Sequence, residues 1–131
     1  MRRQFPQEQE AWLEDIFEGL DEATAWNLRY AGEEIYLNPG EPLSAVQNAV
    51  IRVESGLLKL SVISTDRSIA VALFGPGDTI CAPLFHNWDP HIYQIQAQES
   101  SELRILPQEA VLKVAAENPE FSRRLMRQLS W

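Results

Sequence analysis

The sequence predicts an all-β fold, a double-stranded β-helix or jelly-roll barrel with short flanking helices at both ends of the chain. Apolar and polar residues alternate between Val50 and Asp78, which is the period of strands that bury one face. Three turn signals interrupt this stretch at regular distances: Ser55-Gly56, Thr65-Asp66-Arg67 and Gly75-Pro76-Gly77-Asp78. Short strands between evenly spaced turns are typical of antiparallel barrels and jelly rolls.

Two helices are expected within residues 11–31, before the strands. The stretch from Gln7 to Leu20 is predicted to form an amphipathic helix on the rim of the barrel. Asp21 is placed to cap a second helix from Glu22 to about Tyr30, with Trp26 and Tyr30 on its inner side, and Gly32 ends it. We expect the jelly roll to occupy residues 35–106. The first helix carries its apolar residues at helical spacing: Trp12, Leu13, Ile16, Phe17 and Leu20.

Residues 108–131 are expected to be helical again. Pro107 opens a helix that stops before Asn118-Pro119, and Asn118 then caps a last helix that runs toward Trp131. Apolar residues recur every fourth position on this last helix, which predicts an exposed interaction surface. Four residues form that predicted surface: Phe121, Leu125, Met126 and Leu129.

Composition and charge limit the classes of function. A chain of 131 residues with 45% hydrophobic content can bury one core, so residues 1–131 are expected to form a single domain. A net charge of −8 argues against nucleic-acid binding by this chain, because phosphate contacts need clustered Lys and Arg. One cysteine, Cys81, precludes an intrachain disulfide. With no leader and no apolar run of membrane-spanning length, we expect a cytoplasmic protein without membrane contact.

The order of these features resembles the N-terminal, cyclic-nucleotide-binding-like sensor domain of Crp/Fnr-type transcription regulators. The resemblance is carried by the corner Leu73–Ile80, the turn Tyr36–Leu43 and the strands from Ala97 to Pro107, and it covers roughly residues 10–131. It implies a small-molecule effector in the barrel and a homodimer in a full-length form. It also implies that DNA is bound only through a C-terminal domain that lies outside this sequence, so we expect a fragment of a longer regulator.

The loop after Asp78 departs from the cassette that binds the cyclic phosphate in the resembled family. Alignment on the corner places Cys81-Ala82 where the family has Gly-Glu, and His91-Ile92 where it has Arg followed by Ser or Thr. Ala82 cannot accept a hydrogen bond from ribose, and Ile92 offers no hydroxyl to a phosphate. Cyclic AMP and cyclic GMP are therefore not expected at this site. The candidate ligand-pocket residues are Gly77, Asp78, Ile80, Cys81, Ala82, His91, Ile92 and Tyr93.

Two other ligand chemistries stay open. Cys81 resembles the thiolate position of haem-containing, carbon-monoxide-sensing members, but Pro83 stands where those members have a histidine, so neither a cofactor nor a metal site is predicted. A small anion such as a dicarboxylate would need a cationic side chain in the cavity. Four residues are candidates, of which the first two are expected at the surface: Arg52, Lys59, Arg67 and Arg104.

These observations predict the effector-sensing domain of a Crp/Fnr-type regulator with a degenerate cassette, which transmits its ligand state to the C-terminal helix. The alternative is a free-standing interaction or adaptor domain that binds no small ligand. An enzyme is not expected, because catalytic jelly rolls of the cupin type need several inward His and Glu ligands. The two histidines here, His86 and His91, lie on one predicted loop.

Overall fold

The computed structural model describes residues 15–44, 49–81 and 93–129. In this part of the chain no helix is both long and apolar enough to cross a membrane. The helices and strands of these ranges are, in order, α1 (Glu22–Tyr30), β1 (Glu33–Leu37), β2 (Ala49–Ser55), β3 (Leu58–Ile63), β4 (Ser68–Phe74), β5 (Thr79–Cys81), β6 (Tyr93–Ala97), β7 (Ser101–Pro107), α2 (Gln108–Glu117) and α3 (Pro119–Leu129).

The strands form two antiparallel sheets that face each other across an apolar interior. One sheet has the strand order β1-β7-β2-β5 and the other has the order β4-β3-β6. Both sheets contribute to the interior, since Ile51 and Leu103 from the first pack in one cluster with Leu58 and Ile95 from the second. The predicted β-rich fold is confirmed as a jelly-roll-like sandwich. A closed barrel is not formed among the described strands, because no register joins the two sheets.

Two of the predicted turns carry the chain between the sheets. Gly56, between β2 and β3, has φ of 95°, and a Cβ atom there would lie 2.6 Å from Cα of Ser101. Only glycine fits this approach. At the corner before β5, the Asp78 carboxylate accepts a hydrogen bond from the Gly75 N–H at 2.7 Å, while the Gly77 N–H donates to the Val53 carbonyl at 2.8 Å.

A second apolar cluster lies on the outer face of the four-stranded sheet, where the helices pack. Val50 and Leu106 point outward from β2 and β7 and are covered by the helices. Strand β2 is therefore buried on both faces from Ala49 to Val53. The buried members of this outer cluster are Ile16, Phe17, Leu28, Val50, Leu106, Val111, Phe121 and Leu125.

Helix α1 begins as predicted but turns a different side inward. The Asp21 carboxylate accepts a hydrogen bond from the Thr24 N–H at 2.7 Å, which confirms the predicted cap. The inner side is formed by Leu28, which is 2% exposed, because this residue meets the outer cluster. The prediction for Trp26 and Tyr30 was wrong: their side chains are 59% and 69% exposed.

The segment before α1 forms a turn where the sequence predicts the end of a helix. Residues 7–14 lie outside the described ranges, whereas Ile16–Gly19 form a turn. The Asp15 carboxylate accepts a hydrogen bond from the Phe17 N–H at 3.1 Å, and Gly19 has φ of 82°, so both ends of the turn are fixed locally. Ile16 and Phe17 are nevertheless buried, as their apolar spacing predicts.

Asn118 separates the last two helices, but its side chain serves the helix before it. Its amide Nδ2 donates to the Val114 carbonyl at 3.0 Å at the end of α2, while its own carbonyl accepts from the Ser122 N–H at 3.0 Å in α3. The predicted boundary is confirmed, with the cap formed by backbone.

The apolar face of α3 packs inward, contrary to its predicted role as an exposed interaction surface. Phe121 and Leu125 are 0% and 8% exposed because they belong to the outer cluster of this chain. Met126 remains 61% exposed. The side chain of Leu129 lies outside the described part of the structure.

Replacing Phe121 with alanine should lower the free energy of unfolding by about 3 to 5 kcal/mol, because a fully buried aromatic ring is lost. Met126→Ala on the same helix is the control and should change it by less than about 0.5 kcal/mol. Urea denaturation followed by circular dichroism measures both. Equal losses in the two variants would contradict the burial of Phe121.

Candidate functional site

The structure describes five of the eight predicted ligand-pocket residues, and of these it describes Cys81 by its backbone alone. Ile80 is 1% exposed in the sandwich core, and Tyr93 is half-buried and packs against that core. Gly77 and Asp78 form the corner before β5 and have structural roles there. Cys81 is the last residue of β5, where its backbone pairs with that of Val50. Ala82, His91 and Ile92 lie outside the described residues, as does His86.

The interior near Ile80 and Tyr93 is apolar, and none of the four candidate counter-charges lines it. Arg52 and Arg104 lie on the outer face of the four-stranded sheet, because their strand neighbours Ile51 and Leu103 point inward. Lys59 follows the inward Leu58 on β3 and so faces away from the interior, and Arg67 is exposed beside the β3–β4 turn. The side chains that line the interior are Leu37, Leu43, Ile51, Val53, Leu58, Leu60, Ala72, Phe74, Ile80, Ile95, Ala97 and Leu103.

Arg52 is buried rather than at the surface, which corrects the prediction from the sequence. It is 7% exposed, and its Nε donates to Asp15 Oδ1 at 3.0 Å while Nη2 pairs with the other oxygen of the same carboxylate. Its Nη1 forms an ion pair with Glu54. The guanidinium carbon lies 4.8 Å from the centre of the Phe17 ring. These contacts hold the turn at residues 15–20 against β2.

Two further arginines extend this group, and we call Arg29, Arg52 and Arg104 the arginine cluster. Arg29 reaches Glu54 at 2.8 Å and lies 4.6 Å from the Phe17 ring centre. Burial lowers the pKa of the Arg29 guanidinium, and the nearby charge of Arg52 lowers it further. Arg104 pairs with Glu34 at 3.2 Å. Three carboxylates thus balance three guanidinium groups.

The carboxylates are needed because two arginines face each other across neighbouring strands. Arg52 of β2 stands directly opposite Arg104 of β7 in the register. Like charges in this position repel each other. Glu54 lies close to both, since its Oε1 is 3.7 Å from the Arg104 Nε. The cluster therefore fixes structure, because it holds the turn before α1, α1 itself and β1 against the four-stranded sheet.

A buried polar contact joins α3 to β5, next to the predicted pocket. The Thr79 N–H donates to Gln128 Oε1 at 3.2 Å, and both residues are 1% exposed. Thr79 directly precedes Ile80 of the sandwich core. Gln128 lies three residues after Leu125 and seven after Phe121, so the helical period puts it on the inner face. An apolar pattern alone does not reveal this residue, because glutamine is polar.

In the described ranges, no group of three or more His, Cys, Asp and Glu side chains is placed to hold a metal ion. Both histidines and the side chain of Cys81 lie outside this part, so the expectation that Cys81 holds no haem stays a prediction.

Neither a protein-family model nor a curated protein matches the sequence. Solved structures do match. The sensor domain of the transcriptional regulator DNR from Pseudomonas aeruginosa has a TM-score of 0.71 and 19% identity over 95% of this chain and 86% of its own. A CooA mutant from Carboxydothermus hydrogenoformans has a TM-score of 0.70 and 19% identity over 88% of this chain and 75% of its own. The catabolite activator protein of Thermus thermophilus has a TM-score of 0.68 and 20% identity over 89% of this chain and 57% of its own.

These structural neighbours are regulators of the Crp/Fnr type. The likeness confirms the fold that the resemblance implied, that of their N-terminal sensor domain. The chain spans little more than half of the catabolite activator protein.

Replacing Arg52 with methionine should lower the free energy of unfolding by about 3 kcal/mol, because Asp15 and Glu54 lose their shared buried partner. Arg67→Met makes the same change at an exposed position and should have an effect below about 0.5 kcal/mol. Chemical denaturation of both variants tests the difference. A loss in Arg52→Met as small as that in the control would show that the ion pairs contribute nothing.

Proposed function

We propose that this chain is the effector-sensing domain of a Crp/Fnr-type transcription regulator whose cyclic-nucleotide cassette is degenerate. The observation that carries the proposal is the match in fold to the sensor domain of DNR over 95% of the chain. In a longer protein such a domain would form a homodimer, and DNA would be bound through a separate domain.

The proposed effector is a small molecule other than cyclic AMP or cyclic GMP. Cys81-Ala82 and His91-Ile92 supply neither the carboxylate acceptor nor the guanidinium that a cyclic nucleotide needs. The described end of the pocket, at Ile80 and Tyr93, adds apolar surface and no counter-charge. An apolar or neutral effector suits these side chains better than a phosphate.

The signal would pass from the pocket to α3 through β5. Thr79 lies one residue from Ile80, and its N–H is held by Gln128 of α3. Because both groups are buried, a shift of β5 that breaks this hydrogen bond leaves an unsatisfied donor and acceptor, which is costly. A ligand that displaces β5 would therefore displace α3 as well, and α3 begins where the resembled family places its dimerisation helix.

A thermal-shift titration against cyclic AMP, cyclic GMP, haemin, a set of dicarboxylates and a set of neutral metabolites tests the proposed effector class. A ligand at about 100 times its Kd should stabilise the domain by about 2.7 kcal/mol, which raises Tm by roughly 2 to 8 °C. No shift is expected with either cyclic nucleotide. A rise in Tm with either cyclic nucleotide would contradict the proposal that the cassette is degenerate. No change in Tm with any compound of an extensive metabolite panel would favour the adaptor alternative.

Replacing Gln128 with leucine should separate α3 from β5 without removing much volume. The Thr79 N–H loses its acceptor, so the free energy of unfolding should fall by about 1 to 3 kcal/mol, and amide exchange at Thr79 and along α3 should accelerate. Gln98→Leu, the same change at an exposed position, is the control. Unchanged exchange in α3 of the Gln128 variant would contradict the proposed route.

A further inference from the structure

A surface groove lies between α1 and the outer face of strands β1 and β7. Its volume is about 260 Å³, and we call it the aromatic groove, defined by Trp26, Arg29, Tyr30, Glu34 and Arg104. It is separate from the predicted effector pocket, which lies between the two sheets at the opposite edge of the four-stranded sheet.

Exposed aromatic rings in a fixed arrangement dominate this groove. Trp26 and Tyr30 are 59% and 69% exposed, yet their rings pack edge to face with centres 4.6 Å apart. Tyr36 on β1 is 66% exposed, and its hydroxyl donates to the Glu34 carboxylate at the end of the groove. Trp and Tyr are the residue types most enriched at the energetic centres of protein interfaces. Their rings are already held in place, so little side-chain entropy would be lost on binding.

The carboxylates around the groove outnumber its two arginines, which favours a positively charged partner. Arg29 and Arg104 are neutralised by Glu54 and Glu34 within the chain. The Tyr36 hydroxyl, above all, lowers the pKa of the Glu34 carboxyl, and Arg104 lowers it further, so Glu34 is ionised at neutral pH. Three more carboxylates lie beside the groove: Glu22, Glu33 and Glu102. None of them forms an ion pair with a basic side chain of the described ranges. A cation beside the rings would gain both cation–π and carboxylate contacts.

The strand next to the groove can accept an extended chain. Within the described residues β1 pairs with β7 on one side and with no strand on the other. A segment added at this edge would place alternate side chains on the face that carries Glu34 and Tyr36.

We propose that the aromatic groove and the edge of β1 together bind an extended segment of a partner protein that carries lysine or arginine side chains at alternate positions. The cations lie over the rings of Trp26 and Tyr30 and near the carboxylate of Glu102. The site uses no residue of the effector pocket, so it stands whether or not the domain senses a small molecule. Nucleic acid does not suit this site, because the carboxylates around the groove repel phosphate.

The test is fluorescence polarisation with a labelled peptide of sequence Lys-Val-Lys-Val-Lys-Val-Lys and the whole chain, at low and at physiological salt. Binding should be saturable and should weaken with salt. Trp26→Ala should raise Kd about tenfold, because tryptophan is the strongest cation–π partner. Glu102→Gln should raise Kd about threefold, as expected for a charge pair at a partly exposed position.

Two controls decide the outcome. Leu112→Ala removes another exposed apolar side chain, 53% exposed on α2, and should leave Kd unchanged. The acidic peptide Glu-Val-Glu-Val-Glu-Val-Glu should not bind. The proposal is overturned if the basic peptide fails to bind, if Leu112→Ala weakens binding as much as Trp26→Ala does, or if the acidic peptide binds equally well. Circular dichroism of each variant checks the fold, and both alanine substitutions are at exposed positions.

Discussion

The outer layer of this domain depends on neutralising two arginines that face each other on neighbouring strands. Arg52 and Arg104 would repel each other if only the sheet were present. Glu54 lies near both, Asp15 holds Arg52 from the turn before α1, and Glu34 holds Arg104 from β1. The charges can be satisfied only when these three parts of the chain are in place together. Burial of Arg52 thus ties the position of the first turn to the pairing of the sheet.

The four-stranded sheet separates the apolar interior of the sandwich from the outer layer of helices. Its inner face closes the apolar sandwich, and its outer face carries the helices and the arginine cluster. Residues Glu34, Arg104, Arg52 and Thr79 stand side by side in one row across the four strands. At one end of this row lies the aromatic groove, and at the other end Thr79 meets Gln128 of α3. The sheet therefore connects the helix that would carry the signal to the proposed partner site.

The sequence predicted what depends on local chemistry and missed what depends on packing between elements. The two-residue period, the corner at Asp78 and the cap at Asp21 are local, and each was found. The burial of Arg52 was not predicted, because an arginine on a strand is expected at the surface. Its carboxylate partner Asp15 lies 37 residues away in the chain and becomes evident only in the tertiary structure. The same holds for Trp26: an aromatic residue on an amphipathic helix is expected inside, and only the tertiary structure shows that Leu28 occupies that place.

The exposure of Trp26 and Tyr30 has a physical cause in the arginine cluster. Arg29 lies between these two residues in α1 and must reach Glu54 while its guanidinium covers the Phe17 ring. With Leu28 and Arg29 turned toward the sheet, the helical period of 3.6 residues directs positions 26 and 30 away from the outer cluster. The ion pairs that stabilise the outer layer thus also hold two aromatic rings at the surface. A domain that needed only stability would gain more from burying these rings, which favours a binding role for this surface.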